Sequence, residues 1–249
     1  MDERFAPYDR QVRLLGEDGQ RRLAAARVLV VGVGGLGCTV AEQLARAGVG
    51  AMTIMDGDRV AATDLHRQTL YSPADIGRLK AQAAAGRLRD VAPGTVVEAV
   101  PRFFGADDDV AGFDVVVDGT DDAAARLVLN RACAAAGIPW VHGALWRMEG
   151  QAAVFPPTGP CYRCLYPAGA EAPACGDAGV LGPVAALVAS LQTLLVLEAL
   201  AGDAAGRLVV LDATTATTET VRFAHRDGCP DCGGRGTTPK SVPPDGRRA

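Results

Sequence analysis

The sequence predicts a doubly wound α/β fold: a mostly parallel sheet with helices on both faces, continued at its C-terminal end by mixed or antiparallel strands. Three observations carry this. Apolar, largely β-branched residues (Val28, Leu29, Val30, Val31) run into a glycine-rich turn, Gly32-Val-Gly34-Gly35-Leu-Gly37, that opens a helix-compatible stretch. Strand-like and helix-like stretches then alternate to about residue 141, the order in which crossover helices join parallel strands. After Gly150 the alternation stops, and strand-like runs are interrupted by a Cys/Pro/Gly-rich loop and one long apolar stretch.

Taken in order, residues 4–26 read as a helix with polar faces from Gln11, Arg13 and Gln20 to Arg22. Strands are predicted at 28–33, 51–55, 96–100, 114–117 and 138–141, with helices at 39–47, 78–91 and 122–136. Gly48 closes the helix at 39–47, since glycine tolerates the left-handed cap. Further strands are predicted at 151–155, 208–211 and 219–224. The apolar stretch Pro183 to Ala201 approaches the roughly 20 residues that span a bilayer. Ser190, Gln192, Thr193 and Glu198 within it favour a buried or subunit-interface helix. Residues 233–249 are polar and rich in Gly and Pro and are expected to form a disordered tail, leaving 1–232 as a single domain.

With 249 residues the chain can bury a full core, and 49% hydrophobic with 22% charged residues are globular values. A net charge of −4 argues against nucleic acid or an anionic membrane as partner. The N-terminus carries no apolar signal core, so a cytoplasmic location is expected.

The chemistry begins at the glycine turn. Asp56 follows Gly37 by 19 positions, at the end of the next predicted strand. This is the spacing of a dinucleotide-binding turn: glycines permit close backbone approach to phosphate, the helix N-terminus supplies N–H donors, and the acid accepts from ribose hydroxyls. The same glycines also fit tight helix–strand packing without a ligand, but the flanking strands favour the nucleotide. Beyond Asp56-Gly-Asp58 stand Asp64-Leu-His-Arg67-Gln68, then Lys80, then Asp118-Gly-Thr-Asp121-Asp122, with Arg126 and Asn130 on one helix face. Cations for a triphosphate and a carboxylate pair at a strand end for Mg2+ make a phosphate-chemistry site. Hydride transfer requires none of these, which sets aside an NAD-dependent oxidoreductase.

Of seven cysteines, four form two C-x-x-C pairs, Cys161/Cys164 and Cys229/Cys232, suited to one tetrahedral structural Zn2+. Two small disulfides or a redox motif are the alternatives, disfavoured by the odd count and the absence of an export signal. Cys38 and Cys133 read as packing residues. Cys175 lies among small residues with nothing to bury it, so it is either a reactive loop thiol or an incidental one.

Arg10-Gln11, the Gly32 to Gly37 turn, Asp56-x-Asp58, Leu65-x-Arg67-Gln68, Lys80, Asp118-x-Thr-Asp121, Arg147-Met-Glu-Gly-Gln151 and both cysteine pairs occur in one order over residues 4–232. In this the chain resembles the MoeB/ThiF family, prokaryotic relatives of ubiquitin-activating enzymes. The resemblance implies a Rossmann-like fold and an ATP-dependent adenylyltransferase. The C-terminal Gly-Gly carboxylate of a ubiquitin-like sulfur-carrier protein would attack the α-phosphate, giving an acyl-adenylate and pyrophosphate ahead of thiocarboxylate formation. It further implies that Asp56 holds the ribose, Arg67 and Lys80 the phosphates, and Asp121 the Mg2+. Arg10 would reach into the other subunit of a homodimer, and Cys175 would match a crossover-loop cysteine able to bond to carrier or sulfur donor. Asp64 and Asp122 stand where the family usually has Asn, adding negative charge beside the triphosphate that Mg2+ or an arginine must offset. The chain ends soon after the second cysteine pair, so a separate sulfur donor is expected. Two other readings of the same pattern are an enzyme adenylating a peptide or natural-product carrier, and a non-catalytic partner subunit. The retained Arg10, Arg67, Lys80 and Asp121 weigh against the second.

Overall fold

The computed structural model describes residues 3–167 and 179–233. Cys175 and the expected tail from residue 234 onward lie outside the described residues. A short turn of 3-10 helix, Glu3–Tyr8, leads into α1 (Asp9–Ala25). The expected continuous helix over 4–26 is broken at Gly16, whose φ of 72° and ψ of 166° lie in a region that favours glycine.

The central elements follow as β1 (Arg27–Val31), α2 (Gly35–Arg46), β2 (Ala51–Met55), α3 (Lys80–Val91), β3 (Val96–Val100), β4 (Val115–Asp118) and α4 (Ala123–Ala136). The rest comprises β5 (Trp140–Trp146), β6 (Glu149–Phe155), the short α5 (Tyr162–Leu165), α6 (Gly182–Leu200), β7 (Arg207–Asp212) and β8 (Thr217–Arg222). All eight strands form one sheet in the order β3-β2-β1-β4-β5-β6-β7-β8. The first five pair in parallel, and β5 through β8 pair antiparallel. The change of pattern expected after Gly150 comes with β6, which returns antiparallel to β5 across the two-residue turn Arg147-Met148. Arg147 there takes a positive φ of 54°.

From Val28 to Val31 β1 is buried on both faces, which is why this run is continuously apolar. Val28 and Val30 join the core beneath α2, α3 and α6, while Leu29 and Val31 join Val116, Leu129, Trp140 and Tyr162 on the opposite face. α6 packs against α2 and the β5–β6 pair, burying Val184, Ala185, Val188, Ala189, Gln192, Thr193, Leu195 and Val196. Leu187 and Leu194 stay exposed on its other side. Strand order reverses between β1 and β4, so the crevice past their C-terminal ends is where such a sheet receives ligands.

Candidate active site

A cavity of about 840 Å³ opens at that crevice. Its floor is the glycine turn. Gly32 has φ +83°, and a Cβ there would come within 2.9 Å of the Gly119 backbone, so both geometry and space require glycine. α2 begins at Gly35, four residues before the sequence pattern suggested, which brings its unpaired N–H groups directly onto the turn. Gly34 and Gly35 line the cavity. Gly37 does not: a Cβ there would sit 1.9 Å from the Gly32 carbonyl oxygen, so this third glycine serves the packing of helix on turn.

Asp56, at the end of β2, is buried and fixes the turn from the side. One carboxylate oxygen accepts from the Val33 N–H and the other from the Asp58 N–H, both at 2.8 Å. Burial pushes the Asp56 carboxyl up, against the lowering effect of those two N–H groups. Lys80 opens α3 and is itself buried. Its Nζ lies 3.5 Å from Asp58 and 3.6 Å from Asp64. Arg67 Nη2 stands 3.4 Å from Asp64, and Arg67 Nη1 donates to the Thr63 carbonyl at 2.8 Å. Asp64 is not among the cavity-lining residues. It sits behind the two cations, accepting from the Ala61 N–H at 3.0 Å and from Gln68 Nε2 at 2.8 Å.

The opposite wall is the turn after β4. Asp121 lines the cavity and is exposed to it. Asp122 also lines it, but its Oδ1 accepts from the Ala124 N–H at 2.9 Å, making it the N-cap of α4. A carboxylate there is favoured by the helix dipole, which accounts for Asp at this position without a ligand. Beneath the turn lies a network centred on the buried Asp118, Arg126 and His142. Asp118 Oδ1 accepts from both the N–H and the hydroxyl of Thr120, at 2.9 and 2.7 Å. Its Oδ2 meets His142 Nδ1 at 2.7 Å and Arg126 Nε at 3.7 Å, and Arg126 Nη2 donates to the Thr120 carbonyl at 3.0 Å. Burial would raise the Asp118 carboxyl, yet the His142 hydrogen bond and the fields of His142 and Arg126 hold it below its ordinary value. Burial lowers His142. The pair is therefore an Asp118 carboxylate receiving the Nδ1–H of a neutral His142, with Arg126 as counter-ion. From α6, Gln192 donates to the main-chain oxygen of Asp118 at 2.6 Å.

The ThiF family's sequence profile matches residues 8–231. The chain belongs to the ThiF family. The molybdopterin-synthase adenylyltransferase of Escherichia coli K12 is 40% identical over 246 residues, covering 93% of this chain and 98% of that protein. The SAMP-activating enzyme E1 of Haloferax volcanii is 40% identical over 237 residues, covering 91% and 88%. The sulfur carrier protein adenylyltransferase of Thermus thermophilus is 40% identical over 248 residues, covering 93% and 92%. The crystal structure of E. coli MccB shares the fold, with a TM-score of 0.80 at 19% identity over 97% of this chain and 76% of that one. This ThiF-family chain is accordingly an adenylyltransferase and uses ATP.

Within the ThiF fold, the structure gathers Gly32, Gly34, Gly35, Asp56, Asp58, Arg67, Lys80, Asp121 and Asp122 around one cavity. Arg10 is not among them; it is exposed near the start of α1. His142 and Gln192 were missed as site residues. A polar residue in the middle of a β-run and an amide in an apolar helix were the available signals. Cys38 is buried, with its thiol donating to the Val33 carbonyl at 3.0 Å and pushed up to about 12 by burial; Cys133 is buried too. Both are packing residues, as expected.

The two C-x-x-C pairs converge. Cys161 and Cys229 sulfurs are 3.6 Å apart, Cys164 and Cys232 3.5 Å, and all four lie within 4.8 Å of one another. Four thiolates about 2.3 Å from a tetrahedral metal would stand about 3.8 Å apart, so the donor set fits a metal and not disulfides. The Arg226 N–H points at Cys164 Sγ from 3.4 Å. Asn130 ties this lobe to α4, donating to Asp231 at 2.8 Å and accepting from the Tyr162 N–H at 2.9 Å.

Proposed function

We propose that this protein adenylates the C-terminal Gly-Gly carboxylate of a ubiquitin-like sulfur-carrier protein, ahead of thiocarboxylate formation with a separate sulfur donor. The observation that carries the reading is the pair of buried-side cations, Arg67 and Lys80, facing an N-terminal helix turn and an acidic strand end across one cavity. The names of the 40%-identical relatives supply the substrate class.

In this reading the α- and β-phosphates rest on the N–H groups of the α2 turn, and Asp56 accepts from the ribose. Arg67 and Lys80 draw off charge as the carrier carboxylate attacks the α-phosphate in line and pyrophosphate leaves. Asp121 is the ligand for Mg2+, which neutralises phosphate charge when bound. The Asp118–His142–Arg126 network keeps the Asp121 turn in register. Arg10 acts on the cavity of the other subunit in a homodimer. Cys161, Cys164, Cys229 and Cys232 hold a structural Zn2+, and with four sulfur ligands it has no open position for chemistry. Residues 1–232 work as one domain in the cytoplasm. In the later sulfur transfer the Cys175 thiol attacks the carbonyl of the carrier acyl-adenylate, forming a thioester as AMP leaves.

Carrier-dependent exchange of labelled pyrophosphate into ATP tests the reading. Exchange should require a carrier ending in Gly-Gly, fall by at least about 100-fold in Asp121→Ala, and persist in Cys175→Ala. Near-normal exchange in Asp121→Ala would remove the assigned metal role, and exchange with no carrier requirement would remove the substrate.

A further inference from the structure

Asp64 occupies an unusual position for an acid in a triphosphate site. Its side chain is only 10% exposed, and it touches both phosphate-facing cations from behind. Together with Asp58 it balances Arg67 and Lys80: Asp58 from the cavity wall and Asp64 from behind the two cations. Asp58 is 57% exposed on its side chain and well screened by water, whereas Asp64 is not. In a buried site a carboxylate repels an entering phosphate in proportion to the product of their charges, with little solvent screening. Free ATP carries about four negative charges and its Mg2+ complex about two, so that repulsion is roughly halved for the complex.

We propose that Asp64 is a specificity-determining residue, cancelling part of the Arg67 and Lys80 charge so that the cavity selects the magnesium complex of ATP over free ATP. The inference rests on the adenylylation reading for the identity of the nucleotide. Its geometry permits a clean neutral replacement. Among the described residues Gln68 Oε1 has no hydrogen-bond partner, while Gln68 Nε2 donates to Asp64. In Asp64→Asn the Gln68 amide can turn over, accept from the new Nδ2, and leave the Asn oxygen for the Ala61 N–H.

The test is the dissociation constant of ATP, by calorimetry on the full chain, with excess Mg2+ and separately with EDTA. Asp64→Asn should bind free ATP about tenfold more tightly and Mg2+–ATP only about threefold more tightly, so the preference for the complex shrinks. Asp64→Ser, neutral and able to accept from the Ala61 N–H, should do the same and replaces Asp64→Asn if that variant does not fold. An unchanged ratio, or weaker binding of both forms, overturns the role and leaves Asp64 as a loop brace. If wild type binds ATP in neither form, the adenylylation reading falls with it.

Discussion

At the residue scale, the site depends on acids whose charge is spent on the protein before any ligand arrives. Asp56 braces the glycine turn, Asp122 caps α4, Asp64 neutralises cations, and Asp118 anchors Thr120. The Asp118–His142 pair has a titration consequence with a definite sign. His142 is lowered by burial from about 6.5, so folding favours its neutral form. Stability is therefore complete above about pH 6.5 and declines as pH falls from there toward the lowered folded value, because the unfolded chain takes up the proton first. Asp118, held low, adds a second loss only below about pH 4. The melting temperature should thus drop between about pH 7 and 5 in wild type. In His142→Asn, whose amide can still donate to Asp118, that part of the curve should flatten; a wild-type curve already flat there would contradict the assignment.

At the element scale, the active wall is held from behind by α6. Gln192, fully buried in a mostly apolar helix, donates to Asp118 O and, at 3.3 Å, to Val141 O. A Cβ at Gly143 would approach Gln192 Oε1 to 2.4 Å, so the glycine on β5 makes room for this amide. Gln192→Leu leaves a buried carbonyl without its donor and should destabilise the fold by about 1–3 kcal/mol in urea titration. If Asp118 transmits the change to the Asp121 turn, the KM for Mg2+–ATP should rise more than kcat falls. A loss of stability with unchanged KM would make Gln192 a packing residue only.

The helices and parallel strands were legible because apolar periodicity and β-branched runs report burial directly, as in β1 and β2. The helix break at Gly16 was not, since a glycine in a helical pattern gives no sign of its φ. Nor was the start of α2 on Gly35, because glycine's low helix propensity is overridden there by packing against β1 and Gly119.

At the scale of the whole molecule, two expectations concern how lobes and subunits cooperate. Metal analysis should find about one zinc per chain, and a strong chelator or Cys161→Ser should lower the melting temperature, because a four-thiolate site contributes folding energy. Absence of metal together with full stability in Cys161→Ser would exclude it. If Arg10 serves the partner's cavity, Arg10→Ala and Asp121→Ala proteins, each inactive alone, should regain about a quarter of wild-type exchange when mixed and allowed to reassort. No recovery in demonstrated mixed dimers would place Arg10 in its own subunit's cavity, and an Arg10→Ala protein active alone would place it outside the reaction.

The sequence by itself determined the fold class, the glycine turn, the cation pair and the two cysteine pairs. Each of these depends on local spacing, or on a residue type whose chemistry has few other uses. Only the tertiary structure decided what each acid does. Asp64, Asp122 and Asp121 are the same residue in sequence, and their roles separate when the fold sets one behind two cations, one on a helix end and one against open solvent. It also decided that His142 and Gln192, distant in sequence, meet at Asp118. Such a network is built from side chains brought together across strands and helices, and no periodicity in the chain records that contact.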